Sequence, residues 1–453
     1  MKKPVAVLCV VSLLLAALGL CAFASYNGSE EATKGLASGI YYMVSLDDDT
    51  VLFNKNETER TAPAAFVKLL AAIVAIEKWD NLDEKVEITE DALSLVRYDY
   101  GVRTVNLRPD ESYTRRQLIE ALMVYSANDA ASVIAYTVSG SLDAFIQAMN
   151  EQAQKIGMTD TKVASITGFD TEDQYTTAKD VATLIRYCNK QPVFAQTFSA
   201  SSVTLPETNH NNERTYSADN KMRIAAISDY YHSSVSGGKM TSTTNAGECI
   251  AVTTSQDGYA YICVVMQGKM ADVDRDGVNE NTALTDAKQL IAWTYSNIRY
   301  RVIATANQTV QVVNVLAARD GDTLRLVPEK ETSALVPSKA SSSSVLIEPI
   351  ADTMPQKLSA PIKQGEVICQ ARVLYADQEI TTINLVAAND VRLSMFRLFM
   401  TNLRRVMSST PFILLVLAAL VVAVLYIVLV LMKYKKAKKP NLRRVEGGRQ
   451  DRD

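Results

Sequence analysis

An uncharged apolar stretch near the carboxyl end constrains this chain more than any other feature. Residues 412–432 carry no charged side chain. A helix rising about 1.5 Å per residue over that length spans the roughly 30 Å apolar core of a bilayer. A buried core helix is the alternative, but such helices seldom run so far without a polar residue. The stretch therefore predicts a transmembrane helix at 412–432 and contact with a lipid bilayer.

The charges beside this stretch predict its orientation. Residues 433–453 hold nine Lys and Arg against three Asp and Glu, a net of +6, so the rest of this chain of net charge −3 carries −3 − 6 = −9. A basic tail is typical of the cytoplasmic side of a membrane, and an acidic body argues against nucleic-acid binding. We therefore expect a single-pass protein of the cell membrane, with a basic cytoplasmic tail at 433–453 and the amino-terminal ectodomain outside.

The amino-terminal end predicts export. Lys2 and Lys3 precede an apolar run, Val5–Leu20, and Ala22-Phe23-Ala24 supplies the small residues of a cleavage site. A basic, then apolar, then small-residue order is typical of a secretory signal peptide. We place this signal peptide at residues 1–24.

Two domains are expected between the apolar segments. Strands near both ends of residues 36–298, with helices between them, indicate an α+β domain. Short strands alternating with turns over 299–390 indicate a small all-β domain. Residues 391–407 put apolar side chains on one helical face and arginines elsewhere, which is typical of an amphipathic juxtamembrane helix at the outer membrane surface. The helices predicted inside the first domain cover 64–77, 114–138, 143–156, 177–188 and 285–297.

The cysteines and histidines give no framework for a metal or a set of disulfides. Cys188, Cys249, Cys263 and Cys369 are too scattered for either. Cys249 and Cys263 flank a predicted hairpin turn and could pair across two strands, although two buried thiols are favoured. The two histidines are far apart in the sequence, which argues against a Ser-His triad or a His-based zinc site.

One acidic segment is similar to a calcium loop. Asp272–Gly277 places acidic oxygens at alternate positions and glycine at the sixth, but the twelfth position is Ala283. A solvated turn is therefore favoured over a calcium site. We predict no metal and no cofactor.

Three short segments carry side chains suited to acyl transfer. They are Pro63–Leu70, which contains Lys68; Tyr125–Ala131, which contains Ser126 and Asn128; and Gly238–Cys249, which contains Lys239-Met240-Thr241. Their order and surroundings resemble the Ser-x-x-Lys, Ser-x-Asn and Lys-Thr-Gly motifs of the low-molecular-mass penicillin-binding proteins, the serine D-Ala-D-Ala carboxypeptidases. Thr167–Asp170, Tyr175–Asp180 and Ala360–Gly365 also fit the family pattern.

This resemblance covers residues 36–390 and implies a fold. The expected fold is α+β: a penicillin-binding/β-lactamase-like transpeptidase domain, then a small all-β domain and a C-terminal transmembrane helix. The resemblance also implies roles for particular residues. Ser126 would shuttle protons, Asn128 would contact the substrate amide and Lys239 would hold the terminal carboxylate.

The sequence differs from the family pattern at the nucleophile position and at two substrate-binding positions. A serine and a lysine three positions apart face the same side of a helix, so that the amine can accept the hydroxyl proton as the oxygen attacks. Position 65, where that serine belongs, is alanine. Met240 and Thr241 are altered substrate-binding positions, since the family has threonine and glycine there. Ser236, three before Lys239, is a false match because the two glycines between them disfavour a helix.

These departures predict a non-catalytic protein of the cell surface. Lys68, Ser126, Asn128 and Lys239 would be vestigial catalytic residues in a cleft that binds a peptidoglycan stem peptide or a cell-wall protein. The first alternative is an active serine-type D-Ala-D-Ala carboxypeptidase with an unrecognised nucleophile. The second is a structural module whose tail contacts cytoplasmic machinery.

Overall fold

A computed structural model describes residues 30–96, 102–223, 228–273, 275–338, 345–375 and 378–437. The predicted signal peptide, the loop at 339–344 and residues 438–453 of the basic tail lie outside these ranges. The described chain forms two compact units. The first runs to Ile303 and includes Thr332–Leu346 and Val373–Thr381; the second comprises Ala304–Glu331, Ile347–Arg372 and the residues from Thr382 onward.

Helices and strands are numbered here in chain order. The helices are α1 (Glu30–Thr33), α2 (Val67–Lys78), α3 (Glu90–Leu93), α4 (Arg115–Val124), α5 (Asn128–Ser139), α6 (Leu142–Ile156), α7 (Ala178–Cys188), α8 (Pro192–Phe198), α9 (Thr282–Asn297), α10 (Met395–Met407) and α11 (Thr410–Ala437). The strands of the first unit before α9 are β1 (Ile40–Ser45), β2 (Val51–Lys55), β3 (Lys85–Glu87), β4 (Ser112–Thr114), β5 (Ser202–Leu205), β6 (Arg214–Ser217), β7 (Val235–Thr243), β8 (Gly247–Gln256), β9 (Tyr259–Gly268), β10 (Met270–Ala271) and β11 (Glu280–Asn281). The later strands are β12 (Ile298–Ala304), β13 (Gln311–Leu316), β14 (Thr323–Pro328), β15 (Thr332–Pro337), β16 (Val345–Pro349), β17 (Leu358–Ser359), β18 (Val367–Tyr375) and β19 (Gln378–Ala387).

A five-stranded antiparallel sheet organises the first unit. Its strand order is β2-β1-β9-β8-β7, so β7 lies at one edge. The central strands are apolar on both faces, as expected for a sheet covered by helices on both sides. One face packs on a core that includes α2, and the other packs on α9.

Helix α2 passes through the larger core. Its first nine residues are all buried, which fits a helix that, apart from Lys68, is apolar around its circumference. Fully burying a side chain such as Leu69 or Ile73 stabilises the fold by roughly 1.5–3 kcal/mol. A 3-10 turn, Ala64–Phe66, leads directly into α2. The helix therefore holds its amino end, with Lys68, in a fixed place.

The prediction of one continuous helix at 114–138 is wrong. The segment forms α4 and α5, separated at residues 125–127. Ser126 has a φ of 64° in this break, and the Asn128 N–H donates to the Arg103 carbonyl at 2.8 Å instead of continuing α4. A partner distant in sequence thus replaces the helical hydrogen bond, and periodicity alone cannot predict that.

The two cysteines of the predicted hairpin do not pair. Strands β8 and β9 form the hairpin, but Cys263 lies opposite Val252, and Cys249 lies opposite Thr241 of β7. Cys249 faces the core that includes α2, whereas Cys263 faces the core beneath α9. Both are free thiols, and burial raises the pKa of each to about 12. The favoured interpretation, two buried thiols, is confirmed.

The second unit contains most of a β-sheet, followed by two helices. The sheet order is β16-β18-β19-β14-β13-β17. The Ser394 side chain caps α10, which begins four residues after the predicted start at 391. Among the described residues, one helix, Thr410–Tyr434, is long and apolar enough to cross a bilayer. The architecture is α+β, with an all-β domain and a C-terminal apolar helix.

Candidate active site

The three sequence motifs meet in one cleft. It has a volume of about 250 Å³ and is bounded by the start of α2, the α4–α5 break and edge strand β7. The cleft is lined by Ala65, Lys68, Arg103, Ser126, Asn128, Thr167, Gly168, Phe169, Asp219, Met240, Thr241, Ser242 and Thr243. Residues far apart in the sequence are thus brought to one place by the sheet and the helices packed on it.

The floor of the cleft is the 3-10 turn before α2. Ala64 has a φ of 47°, a left-handed conformation that is unusual for a residue other than glycine. Gly168 packs against this turn so closely that an added Cβ would lie 2.6 Å from the Ala64 carbonyl oxygen. The position that would carry a nucleophile, residue 65, presents a methyl group.

Lys68 is buried and close to a second cation. Its side chain is 2% exposed, and Nζ donates to the Ser126 carbonyl at 2.6 Å. Burial first, and then the charges of Lys239 and Arg103, lower the pKa of Lys68 well below its ordinary value. The surroundings of this amine therefore favour its neutral form.

Lys239 reaches the same serine from strand β7. Its Nζ donates to the Met123 carbonyl at 2.8 Å and to the Ser126 hydroxyl. Burial is the main reason that the pKa of Lys239 falls to about 8, with Asp219 acting in the opposite direction. Ser126 is thus held by one lysine at its carbonyl and by the other at its hydroxyl.

Asn128 presents an unused acceptor. The residue is 3% exposed, and its Nδ2 donates to the Arg103 carbonyl at 3.2 Å. Within the described ranges, its Oδ1 has no hydrogen-bond partner. Leaving a buried acceptor unpaired costs about 1–3 kcal/mol, so an N–H group that reached this oxygen would gain a hydrogen bond without displacing another partner.

The altered positions on β7 have defined partners. Met240 packs partly against the core beneath α9. Thr241 turns towards the floor of the cleft, where its Oγ1 accepts the backbone N–H of Ala65 at 3.0 Å. The end of the strand is fixed by Asp170, whose carboxylate accepts from Thr243 Oγ1 at 2.7 Å and from the Asn245 N–H at 2.9 Å.

Sequence reasoning missed an ion pair in this cleft. Arg103 pairs with Asp219, and its guanidinium carbon lies 5.6 Å from the ring centroid of Tyr125. Neither charged residue belongs to a short motif, so no pattern along the chain singles them out. The pair adds a cation and an anion to a cleft that is also lined by Lys68.

Two segments discussed above lie outside this cleft. Ser236 is on β7, not on a helix, and its Oγ lies 3.0 Å from the Thr253 hydroxyl. In the segment that is similar to a calcium loop, Asp272 and Asp276 accept backbone N–H groups of the same turn. Residue 274 of this segment lies outside the described residues. No group of three or more His, Cys, Asp or Glu residues in the described ranges is arranged to hold a metal ion.

Comparison with known protein families gives two matches. Residues 27–270 match the D-alanyl-D-alanine carboxypeptidase family, and residues 300–392 match the C-terminal domain of penicillin-binding protein 5. A relative, the D-alanyl-D-alanine carboxypeptidase DacF of Bacillus subtilis, is 25% identical over 385 residues, which are 84% of this chain and 92% of that protein.

Solved structures share the fold. The D-alanyl-D-alanine carboxypeptidase DacD of Francisella tularensis superposes with a TM-score of 0.64 at 21% identity, covering 79% of this chain and 94% of that one. Penicillin-binding protein 5 of Haemophilus influenzae gives a TM-score of 0.60 at 20% identity, covering 79% and 98%. The first unit therefore has the penicillin-binding/β-lactamase-like fold.

Proposed function

Because this chain belongs to the D-alanyl-D-alanine carboxypeptidase family, within the low-molecular-mass penicillin-binding proteins, we propose that it is a catalytically inactive member of that family. It would act at the outer face of the cell membrane. Its cleft would bind a peptidoglycan stem peptide or a cell-wall protein without cleaving it. The family's activity is serine-type D-Ala-D-Ala carboxypeptidase, so the proposal concerns what this member has lost.

The methyl group of Ala65 carries the proposal. In this family a serine oxygen at that position forms the acyl ester, and an alanine has no atom with which to form it. In subtilisin, removing the serine nucleophile from its cooperating catalytic residues costs on the order of a million-fold in kcat. The amine of Lys68, which would take the serine proton, instead donates to the Ser126 carbonyl.

Retained polar groups support binding. The unpaired Asn128 Oδ1 suits a peptide N–H group, and Arg103, which lines the same cleft, provides positive charge. These groups are buried or anchored, so a ligand meets a preformed site and loses little free energy in ordering it. A stem peptide, with amide groups and a terminal carboxylate, matches this set.

The carboxyl-terminal helices support a location at the membrane. Helix α11 is apolar along the predicted span of 412–432, and lysines follow it. We propose that it anchors the chain, with the signal peptide at 1–24 removed and residues 433–453 in the cytoplasm. The two folded domains, 36–298 and 299–390, would then lie on the outer side.

A weak D-Ala-D-Ala carboxypeptidase is the alternative, and one contact favours it. The Ser126 hydroxyl lies against Lys239 Nζ, whose pKa of about 8 is close to working pH. Once deprotonated, this amine could accept the hydroxyl proton instead of donating to the oxygen, and so activate Ser126 as a nucleophile. Ser126 is therefore the residue to test if any acyl-enzyme forms.

Acylation decides between the two functions. The full-length chain in detergent should show no fluorescent penicillin adduct by gel or intact mass, and it should release no D-alanine from a pentapeptide. It should still bind a soluble muropeptide in calorimetry. A wild-type adduct that disappears in Ser126→Ala would overturn the proposal in favour of the enzyme. Absence of muropeptide binding would leave a cell-wall protein as the ligand.

A further inference from the structure

We infer that the Thr241 side chain closes this cleft to acyl carbonyl groups, because its hydroxyl takes the place of a substrate carbonyl oxygen on the Ala65 backbone N–H. This inference rests on the proposed function and deepens it. The chain would then carry two separate blocks to acyl transfer: a missing nucleophile and an occupied oxygen site. Ligands would bind through other groups, with no carbonyl held at Ala65.

The Ala65 N–H is the donor that an acyl carbonyl would need. Amides at the beginning of a helical segment have no partner within it, and they carry the positive end of the helix dipole. In serine peptidases the amide of the nucleophile residue itself is one of the donors that hold the oxyanion. Such donors lie 2.7–3.1 Å from the oxygen they stabilise. Thr241 Oγ1 lies 3.0 Å from the Ala65 nitrogen, at the distance expected for that oxygen.

The threonine is held in this position from both sides. Its strand is fixed by the register of Thr241 opposite Cys249, and Asp170 fixes the chain just beyond. On the other side, Gly168 packs against the backbone of Ala64 and Ala65. A β-branched side chain also has restricted rotation about χ1. Displacing the hydroxyl would therefore require movement of a packed strand or turn.

The hydrogen bond between Thr241 and the Ala65 N–H restricts the ligands that the cleft can accept. A peptide can offer an N–H group to Asn128 Oδ1 and a carboxylate to the cationic side of the cleft. It cannot also place a carbonyl oxygen on the Ala65 N–H while Thr241 remains there. The cleft should therefore accept stem peptides as uncleaved ligands and exclude β-lactams, whose recognition depends on a reactive carbonyl.

Restoring the nucleophile with and without the threonine tests the inference. Ala65→Ser/Met240→Thr should react with fluorescent penicillin at least about 100-fold more slowly than the same chain with Thr241→Gly added, the loss seen when one oxyanion donor is removed. Ser236→Gly is the matched control in the same background. It lies on the same strand but outside the cleft, where its Oγ lies 3.0 Å from the Thr253 hydroxyl, so it should not restore the rate.

The rates separate the failure of this inference from that of the proposed function. If Ala65→Ser/Met240→Thr reacts within tenfold of the triple variant, Thr241 is no block and the inference is wrong. In that case the unreactive wild type would still support an inactive protein. Acylation of the wild type would instead contradict the proposed function.

Hydrogen exchange gives a measurement that does not depend on regained chemistry. In the otherwise wild-type chain, the Ala65 amide should be protected, and Thr241→Gly should speed its exchange at least tenfold. Ser236→Gly, on the same strand but outside the cleft, should leave the rate unchanged. A fast Ala65 amide in the wild type, or a rate unaffected by Thr241→Gly, would overturn the inference even if no variant were acylated.

Discussion

At the scale of single residues, two lysines share one serine. Lys68 Nζ donates to the carbonyl of Ser126 and Lys239 Nζ to its hydroxyl. Both amines are almost completely buried, and placing a cation in such surroundings is unfavourable unless it is well paired. Carbonyl and hydroxyl oxygens are neutral partners, so the pKa of each lysine falls instead. The protonation state of Lys239 therefore depends on pH near the physiological range.

The lowered pKa of Lys239 predicts how stability changes with pH. Its pKa falls from 10.5 to about 8 on folding, so between those values the unfolded chain binds more protons than the folded one. Stability then rises with pH over that interval. Relative to Lys239→Met, the wild type should gain about 2–3 kcal/mol in free energy of unfolding between roughly pH 7.5 and 10.

This pH dependence can be measured by urea unfolding of the first unit. Trp79 and Trp293 both lie in that unit, so tryptophan fluorescence follows its unfolding. Comparing wild type with variant removes the contribution of the buried tyrosines and thiols, which titrate in both. The polar atoms left unpaired in Lys239→Met shift its stability by an amount that does not depend on pH. If the free energies of unfolding of wild type and Lys239→Met changed with pH by the same amount, Lys239 would have its ordinary pKa in the folded protein and the prediction would be wrong.

Asn128 gives a second prediction at this scale. Asn128→Leu removes the unpaired Oδ1 and keeps a side chain of similar volume. We expect a change of within about 1 kcal/mol in the free energy of unfolding, because removal of the unpaired Oδ1 offsets the loss of the Nδ2 hydrogen bond to the Arg103 carbonyl, which still accepts the backbone N–H of residue 128. Muropeptide affinity should fall at least tenfold in calorimetry. A variant that binds as well as wild type would remove Asn128 from the ligand site.

At the scale of elements, the sequence predicted some features and missed others for physical reasons. Helix α2 and the β8–β9 hairpin follow from apolar periodicity and turn residues. The break between α4 and α5 does not, because the apolar pattern continues through it while a distant carbonyl, that of Arg103, replaces a helical bond. The side chains of Cys249 and Cys263 lie on opposite faces of the sheet because of the register of the strands. That register cannot be read from their positions on either side of a turn.

The sequence also predicted only some of the residues of the candidate site. The Lys68, Ser126, Asn128 and Lys239 positions were found because each belongs to a short motif. Arg103 and Asp219 lie in the same cleft, but only the fold brings them together. The bond between Thr241 and the Ala65 N–H is likewise a tertiary contact, which the residue types alone do not indicate.

Packing of the Gly168 turn against the floor of the cleft gives a prediction for an element. Gly168→Ala should lower the free energy of unfolding by about 2–4 kcal/mol, because its Cβ would lie 2.6 Å from the Ala64 oxygen and its φ is +81°. Gly157→Ala is the matched control, since its φ is +93° with nothing within 4 Å of an added Cβ. That change should cost about 1–2 kcal/mol, from backbone strain alone. Equal losses in urea unfolding would mean that the close contact at Gly168 is absent.

At the scale of the whole molecule, the two carboxyl-terminal helices expose apolar side chains that a lipid bilayer would bury. Seven apolar side chains of α10 are between 39% and 73% exposed: Met395, Phe396, Phe399, Met400, Leu403, Val406 and Met407. Its arginines lie on the other side of the helix, and Arg397 pairs with Asp322 of the same unit. An amphipathic helix directly before an apolar one is suited to the interface of a bilayer. We therefore expect α10 to lie on the membrane surface that α11 enters.

Cysteine labelling of intact cells tests this topology. With α11 spanning the bilayer and lysines holding its end in the cytoplasm, a membrane-impermeant maleimide should label Glu172→Cys but not Gly448→Cys. Glu172 is exposed in the first unit, whereas Cys188, Cys249, Cys263 and Cys369 are buried and give little background. After detergent treatment both variants should be labelled, which controls for reactivity. Labelling of Gly448→Cys in intact cells would place the tail outside, and failure of Glu172→Cys to label would place the domains inside; either result contradicts the orientation.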